Sequence, residues 1–242
     1  MNWKLALRLA AGMTLLTTGA TVMLVAAVLT MFQARRLYSE WIGTPMGKAM
    51  LKLWGIRYVV HDRARVPTGQ VVYVSNHTST IDMFVLIALG LPNTRFFLSG
   101  YLRKLVPLGV IGYLIGIFWT VDQVYTERRK RIFERAARTL KRTGESVYLS
   151  PEGERITTGS MGPFNKGAFH MATDLRAPIV PLFISIPRAI DPGKGLNAQP
   201  GEVHVHFLPP IDTSGWRVEQ VPANRDRVHA MFTGWHADLH AA

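Results

Sequence analysis

Short apolar runs alternate with stretches of helical period along most of this chain. That alternation restricts it to an α/β fold. Arg57–His61, Val71–Ser75, Arg95–Leu98, Ile117–Val121, Ser146–Ser150, Ile179–Ile184 and Glu202–Leu208 read as strands. Asp82–Leu89, Leu102–Ile115, Glu127–Lys141, Lys166–Leu175 and Val221–Leu239 read as helices. Gly90 with Pro92 ends one helix, Thr143-Gly144 ends another, and Pro107 is expected to interrupt a third. Strands joined by helices give an α/β sandwich, and sites in such folds gather at strand ends. Pro187–Pro200 is the one long connection, expected to be mobile.

The first 55 residues are of another kind. No charged residue occurs from Leu9 to Ala34, and a spanning helix needs roughly 20 such positions. Lys4 and Arg8 bracket one end and Arg35 and Arg36 the other, so the basic flanks are balanced and set no orientation. Trp3, Phe32, Tyr38 and Trp41 sit where interfacial aromatics settle. A cleaved signal peptide has a shorter apolar region and a small-residue cleavage site. A spanning helix and a helix buried in one leaflet both fit, the second with Met46–Trp54 as an amphipathic second arm. The expected division is an anchor over 1–55 and an α/β domain over 56–242. The net charge of +12 calls for an anionic partner, and the anchor makes that partner a membrane surface. With no cysteine, thiol nucleophiles, disulfides and Cys-ligated metals are excluded.

Two segments carry the chemistry. The strand Val71–Ser75 runs directly into Asn76-His77-Thr78-Ser79-Thr80-Ile81-Asp82. Histidine exchanges protons near neutral pH, and a carboxylate beside it fixes the ring's tautomer. Residues five apart do not share a face of a regular helix. The spacing therefore predicts His77 in a turn and Asp82 in the first turns of the helix that follows. The second segment is Ser150-Pro151-Glu152-Gly153-Glu154-Arg155, in which Pro151 and Gly153 predict a turn that presents Glu152 and Arg155 at the lip of the sheet.

Taken together and in this order, the two segments resemble the glycerolipid acyltransferase superfamily, whose type members are 1-acylglycerol-3-phosphate (lysophosphatidic acid) acyltransferases. The proline-bearing run Ala177–Ile184 adds to the resemblance, which covers about Val71 to Ile186. It implies a mixed sheet flanked by helices with an N-terminal membrane-associated helical segment. It also implies an enzyme of the inner membrane, its site facing the cytoplasm, that moves an acyl group from a thioester to a lysolipid hydroxyl. His77 would be the base and Asp82 its orienting partner. Backbone N–H groups at the helix start would hold the oxyanion. Asn76, Glu152, Gly153 and Arg155 would bind substrate. The donor would be acyl-CoA or an acidic acyl carrier protein, with no cofactor and no metal.

The match breaks between the two segments. Gly100 stands where such enzymes carry a lysine, and Gln123 where they carry an arginine; both are thought to grip the acceptor's phosphate. Arg103 or Lys104, one helical turn along, is the expected substitute. Glu154 adds an acid, and a carboxylate near a phosphate site disfavours a dianion. Lysophosphatidic acid remains the leading acceptor, beside a lysolipid without a terminal phosphate, such as a lyso-ornithine lipid.

Arg128, Arg131, Arg135, Arg138 and Arg142 line one face of the Glu127–Lys141 helix, opposite Ile132, Phe133, Ala136, Ala137 and Leu140. This is either a solvated helix back or a dock for a carrier protein, CoA phosphates or anionic headgroups. His204 and His206 share a strand face and lack a third ligand nearby, which predicts solvated side chains. His170, His229, His236 and His240 have no matching partners on their helices. A non-enzymatic basic membrane-binding protein, using the arginine helix and the net charge, is the alternative of another class, and two further readings are set aside. The aromatic-interleaved basic sheet of a single-strand nucleic-acid binder is missing, so no nucleic-acid partner is expected, and so is the Gly-x-Ser-x-Gly elbow of a lipid hydrolase.

Overall fold

The computed structural model describes residues 3–157, 160–191 and 198–241. Seven strands form one sheet in the order β1-β7-β6-β2-β5-β3-β4. They are β1 (Ile56–His61), β2 (Val72–Ser75), β3 (Thr94–Ser99), β4 (Phe118–Thr120), β5 (Ser146–Leu149), β6 (Ile179–Ser185) and β7 (Gly201–Phe207). Neighbours run parallel except β6 and β7, which are antiparallel, so the sheet is mixed as expected. β2 lies between β5 and β6, with Val74 opposite both Leu149 and Pro181.

Side chains alternate across this sheet, as the two-residue period of a strand requires. Val71, Tyr73, Val180 and Leu182 face one layer; Val72, Val74, Ile179 and Phe183 face the other. The first layer is built by α3 (Ile81–Ala88) and α2 (Thr44–Leu53). The second is built by α5 (Thr126–Thr143), α6 (Gly167–Leu175) and α7 (Val221–Ala241).

The N-terminal segment folds as α1 (Trp3–Leu29), which ends where Met31 and Phe32 take left-handed backbone angles. A short π-helical segment, Leu37–Gly43, leads into α2. Gly12, Leu16, Ala20, Met23 and Ala27 recur at three- and four-residue spacing and are the buried stripe of α1, which packs on α2 and α4 (Val106–Leu114). Pro107 opens α4 instead of interrupting a longer helix. A proline in the first turn loses no hydrogen bond, because that N–H has no intrahelical partner. Leu102–Lys104 forms a separate 3₁₀ turn before it.

A buried carboxylate ties the N-terminal segment to the sheet. Glu145 accepts from Arg95 Nε at 2.7 Å and ion-pairs with Arg35. Burial and the positive charges of Arg35 and Arg142 pull Arg95 down to about 10. Residues 192–197 of the long connection and the side chain of His240 lie outside the described residues.

Candidate active site

β2 ends at Ser75, and the chain turns through Asn76–Thr80 before α3 begins. Asp82, one residue into α3, reaches back over the turn. Its Oδ2 lies 2.9 Å from His77 Nδ1 and accepts the N–H groups of Thr78 (2.8 Å) and Ser79 (2.9 Å). The His77 side chain is 33% exposed and the Asp82 side chain 2%. An ionised carboxylate can only accept, so Nδ1 carries the proton and Nε2 keeps its lone pair. Such a nitrogen can take a proton from an alcohol.

The second segment closes over the first. Glu152 Oε2 accepts the backbone N–H of His77 at 2.9 Å, and Oε1 accepts that of Gly162 at 3.2 Å. Ile156 N–H donates to the His77 carbonyl at 2.8 Å. Burial raises the Glu152 carboxyl to about 7, against the opposing pull of those two N–H bonds. Gly153 has φ +74°, and a Cβ there would lie 2.7 Å from Asn165 Nδ2, so this turn admits only glycine without strain. The exposed Arg155 guanidinium donates to Thr80 Oγ1.

Several expected roles change. Asn76 is buried and both ends of its amide are taken up by the Ile184 backbone, at 2.9 and 2.8 Å. It is a tether between strands, not a group at the opening. Glu152 likewise faces inward, holding the His77 backbone instead of standing at the lip. Arg103 and Lys104 are exposed on their 3₁₀ turn, Lys104 Nζ 5.1 Å from the Tyr101 ring centre; among the described residues no bond links either to the His77 turn. Three of the amides expected to hold an oxyanion already have partners. Those of Thr78 and Ser79 go to Asp82, and that of Ile81 goes to Ser79 Oγ at 2.9 Å.

Other contributors gave no signal in the sequence. Ser79 Oγ donates to the buried Asp191, and His229 on α7 bonds to the Gly162 carbonyl at 2.9 Å, although it was expected to lack a partner. His204 and His206 stack with His61 of β1. The His61 and His206 rings lie 4.4 Å apart and 8° from parallel, and His61 Nε2 lies 3.0 Å from His204 Nδ1. Burial and its two histidine neighbours push His206 below the ordinary imidazole value.

A largely apolar cavity lies between α2, α3 and α4, and neither His77 nor Asp82 is on its wall. Its walls come from Met46 and Met50 of α2, Phe84 and Ile87 of α3, and Ile111 and Ile115 at α4. Met83 and Phe84, the two residues after Asp82, line it as well.

A buried carboxylate bonded to a partly exposed imidazole at the end of a parallel strand defines an α/β protein with a histidine–carboxylate pair at its strand ends. The chain belongs to the Acyltransferase family, whose model matches residues 57–185. It is 34% identical over 186 residues to the 1-acyl-sn-glycerol-3-phosphate acyltransferase alpha of Bos taurus, covering 75% of this chain and 63% of that one. The beta form of Homo sapiens is 32% identical over 177 residues, covering 73% and 63%. The 1-acyl-sn-glycerol-3-phosphate acyltransferase of Cocos nucifera is 26% identical over 161 residues, covering 66% and 52%. The chain thus matches less than two thirds of the length of these curated relatives. The crystal structure of the 1-acyl-sn-glycerophosphate (LPA) acyltransferase from Thermotoga maritima has the same fold, with a TM-score of 0.73 at 21% identity, covering 97% of this chain and 98% of that one.

Proposed function

We propose that this protein is a membrane-associated O-acyltransferase. It moves a fatty acyl group from a thioester to the free hydroxyl of a lysolipid, with 1-acyl-sn-glycerol-3-phosphate as the leading acceptor and phosphatidic acid as the product. The single observation that carries this reading is the 2.9 Å contact between His77 Nδ1 and Asp82, which leaves Nε2 as the nitrogen that can accept a proton. His77 Nε2 takes the hydroxyl proton as the oxygen attacks the thioester carbonyl. Asp82 stabilises the imidazolium that forms. The tetrahedral intermediate then collapses, the C–S bond breaks, and the imidazolium returns the proton to the departing thiolate. An ester and a free thiol result, with no acyl-enzyme and no cofactor. Arg155, exposed and held against Thr80, supplies positive charge to the acceptor.

The cavity walls are mostly hydrocarbon and thioether, with Ser39, Glu40, Thr44 and Thr94 among them, which suits an acyl chain. α1 is long and apolar enough to cross a membrane by length and composition. Yet it is packed along one stripe against α2 and α4, and Leu105, Val106 and Tyr113 around α4 are exposed alongside it. This favours a helix lying in one leaflet with its partners over an isolated span. We place the site on the cytoplasmic side of the inner membrane, where acyl thioesters are made.

One observation favours a second acceptor class. A Cβ on Gly100 would lie 2.6 Å from the Thr120 carbonyl oxygen, so no side chain fits there without moving β4. Gln123, beside Gly153, is neutral. Neither position supplies a cation for an acceptor phosphate, which keeps a lysolipid without a terminal phosphate as the alternative to the leading acceptor.

The test is transfer of labelled acyl groups to a panel of lysolipids by membranes holding the wild type or His77→Ala. The variant is expected to lose ~3–5 kcal/mol of barrier lowering, a fall of hundreds to thousands in rate. Transfer that survives the substitution rejects His77 as the base.

A further inference from the structure

We propose that the arginine face of α5 is a docking surface for an acidic protein that delivers the acyl thioester; the proposal rests on the acyltransferase reading above. Arg128, Arg131, Arg135, Arg138 and Arg142 are all exposed on this helix. Lys130 and Lys141 widen the stripe, and Glu127 and Glu134 are the only acids on the helix. Among the described residues none of these seven cations forms an ion pair. Like charges three and four residues apart repel one another, so the stripe works against the helix that bears it. The fold does not need it, because Ala136, Ala137 and Leu140 on the opposite side supply the packing.

Position narrows the choice of partner. α5 belongs to the helix layer on the far side of the sheet from α2 and α3, whereas α1 and α4, with their exposed apolar residues, pack on the α2–α3 side. A membrane that takes up the apolar face of α1 therefore leaves the outer face of α5 in water. The anion that meets α5 is accordingly soluble. It is also large, since 18 residues make a helix of about 27 Å, far longer than the phosphates of one nucleotide-like donor can cover. No aromatic ring stands out on the cationic face for bases to stack on; Phe133 is turned inward against Phe97. The helix also starts at the site. Gln123, just ahead of it, lies 3.2 Å from where a Gly153 Cβ would be, and Arg129 donates to the Val121 carbonyl at 2.9 Å. A protein with an acidic helix docked along this stripe holds a thioester arm near the Gly153 turn, whose neighbour Glu152 is bonded to the His77 backbone. Clustered charge of this kind speeds encounter and makes binding salt-sensitive.

The test compares the full-length wild type, solubilised in detergent, with Arg131→Glu/Arg135→Glu/Arg138→Glu and with the corresponding triple glutamine variant. A fluorescently labelled holo acyl carrier protein is the binding probe, read by anisotropy at low and high salt. Both variants are expected to bind it at least about tenfold more weakly and to lose most of the salt dependence. With acylated carrier protein as donor, kcat/KM should fall in parallel, while turnover of acyl-CoA stays as in the wild type. Circular dichroism confirms that the variants are folded, and the glutamine variant serves if charge reversal unfolds the helix. Unchanged carrier binding, an equal loss with both donors, or a loss confined to anionic vesicle binding overturns the proposal. A wild type that transfers from acyl-CoA but does not bind the carrier overturns it and leaves the acyltransferase reading intact. A wild type that binds the carrier through this face but transfers from neither donor upholds the dock and sinks the enzymatic reading.

Discussion

His77 Nδ1 and Asp82 Oδ2 lie 2.9 Å apart, and that same oxygen accepts the N–H groups of Thr78 and Ser79. One carboxylate oxygen thus shapes the turn and sets the ring's tautomer together. Its other oxygen, Oδ1, is buried with no hydrogen-bond partner among the described residues.

Asp82→Asn keeps an oxygen for the amides but removes the charge that stabilises an imidazolium. We expect kcat to fall about 10²- to 10⁴-fold, the range seen when a triad's aspartate is neutralised, with a smaller change in KM. Single-turnover assays beside thermal unfolding separate this from loss of fold. A full-rate Asp82→Asn enzyme contradicts the orienting role.

Glu152 makes stability fall with pH. Its carboxyl is raised in the folded state to about 7, while an unfolded glutamate titrates near ~4.3. The folded protein therefore binds the proton more tightly. That stability is fully present below about 4.3 and is lost as pH rises through about 7. Relative to Glu152→Gln, the wild type is expected to lose about 2–3 kcal/mol between pH 5 and pH 8. Denaturant titrations of both proteins across that range check it; parallel pH profiles refute the buried-carboxyl account.

An acyl chain held in the apolar cavity would be limited in length by its walls. Leu108→Trp fills part of it, since Leu108 is on its wall. Donor preference should move to shorter acyl chains, at about 0.8 kcal/mol for each methylene denied burial. Competition between donors of graded length measures it, and an unmoved optimum assigns the chain to another surface.

Gln123→Arg puts a cation beside Gly153, where Gln123 now approaches. Preference should swing towards phosphate-bearing acceptors. A panel of lysolipids read with both proteins decides, and an unaltered ranking removes the charge argument for acceptor choice.

Much of this architecture was readable from periodicity, because burial imposes it locally. The strand expected at Val71–Ser75 is Val72–Ser75, and the helix expected at Glu127–Lys141 is Thr126–Thr143. The His77–Asp82 geometry followed from a spacing that no regular helix could satisfy on one face. What escaped were contacts between distant segments, which no local pattern encodes. Nothing near Glu152 announces that its carboxylate turns inward to the His77 backbone, and nothing near His229 points to Gly162. The reversed direction of β7 and the stacking of His61 on His206 depend likewise on strand order. Three amides that looked available for an oxyanion, those of Thr78, Ser79 and Ile81, go instead to Asp82 and Ser79.

The bond from His77 N–H to Glu152 joins residues 75 apart in the chain. Domains fold from the N-terminus onward during synthesis, at a few residues to about 20 per second. A nascent polypeptide that has just made its histidine turn must wait for β5 and the loop through Gly162 before that turn is clamped. Half-made chains therefore carry no working reactive centre, and truncation anywhere before Gly162 should yield inert product, not a leaky one.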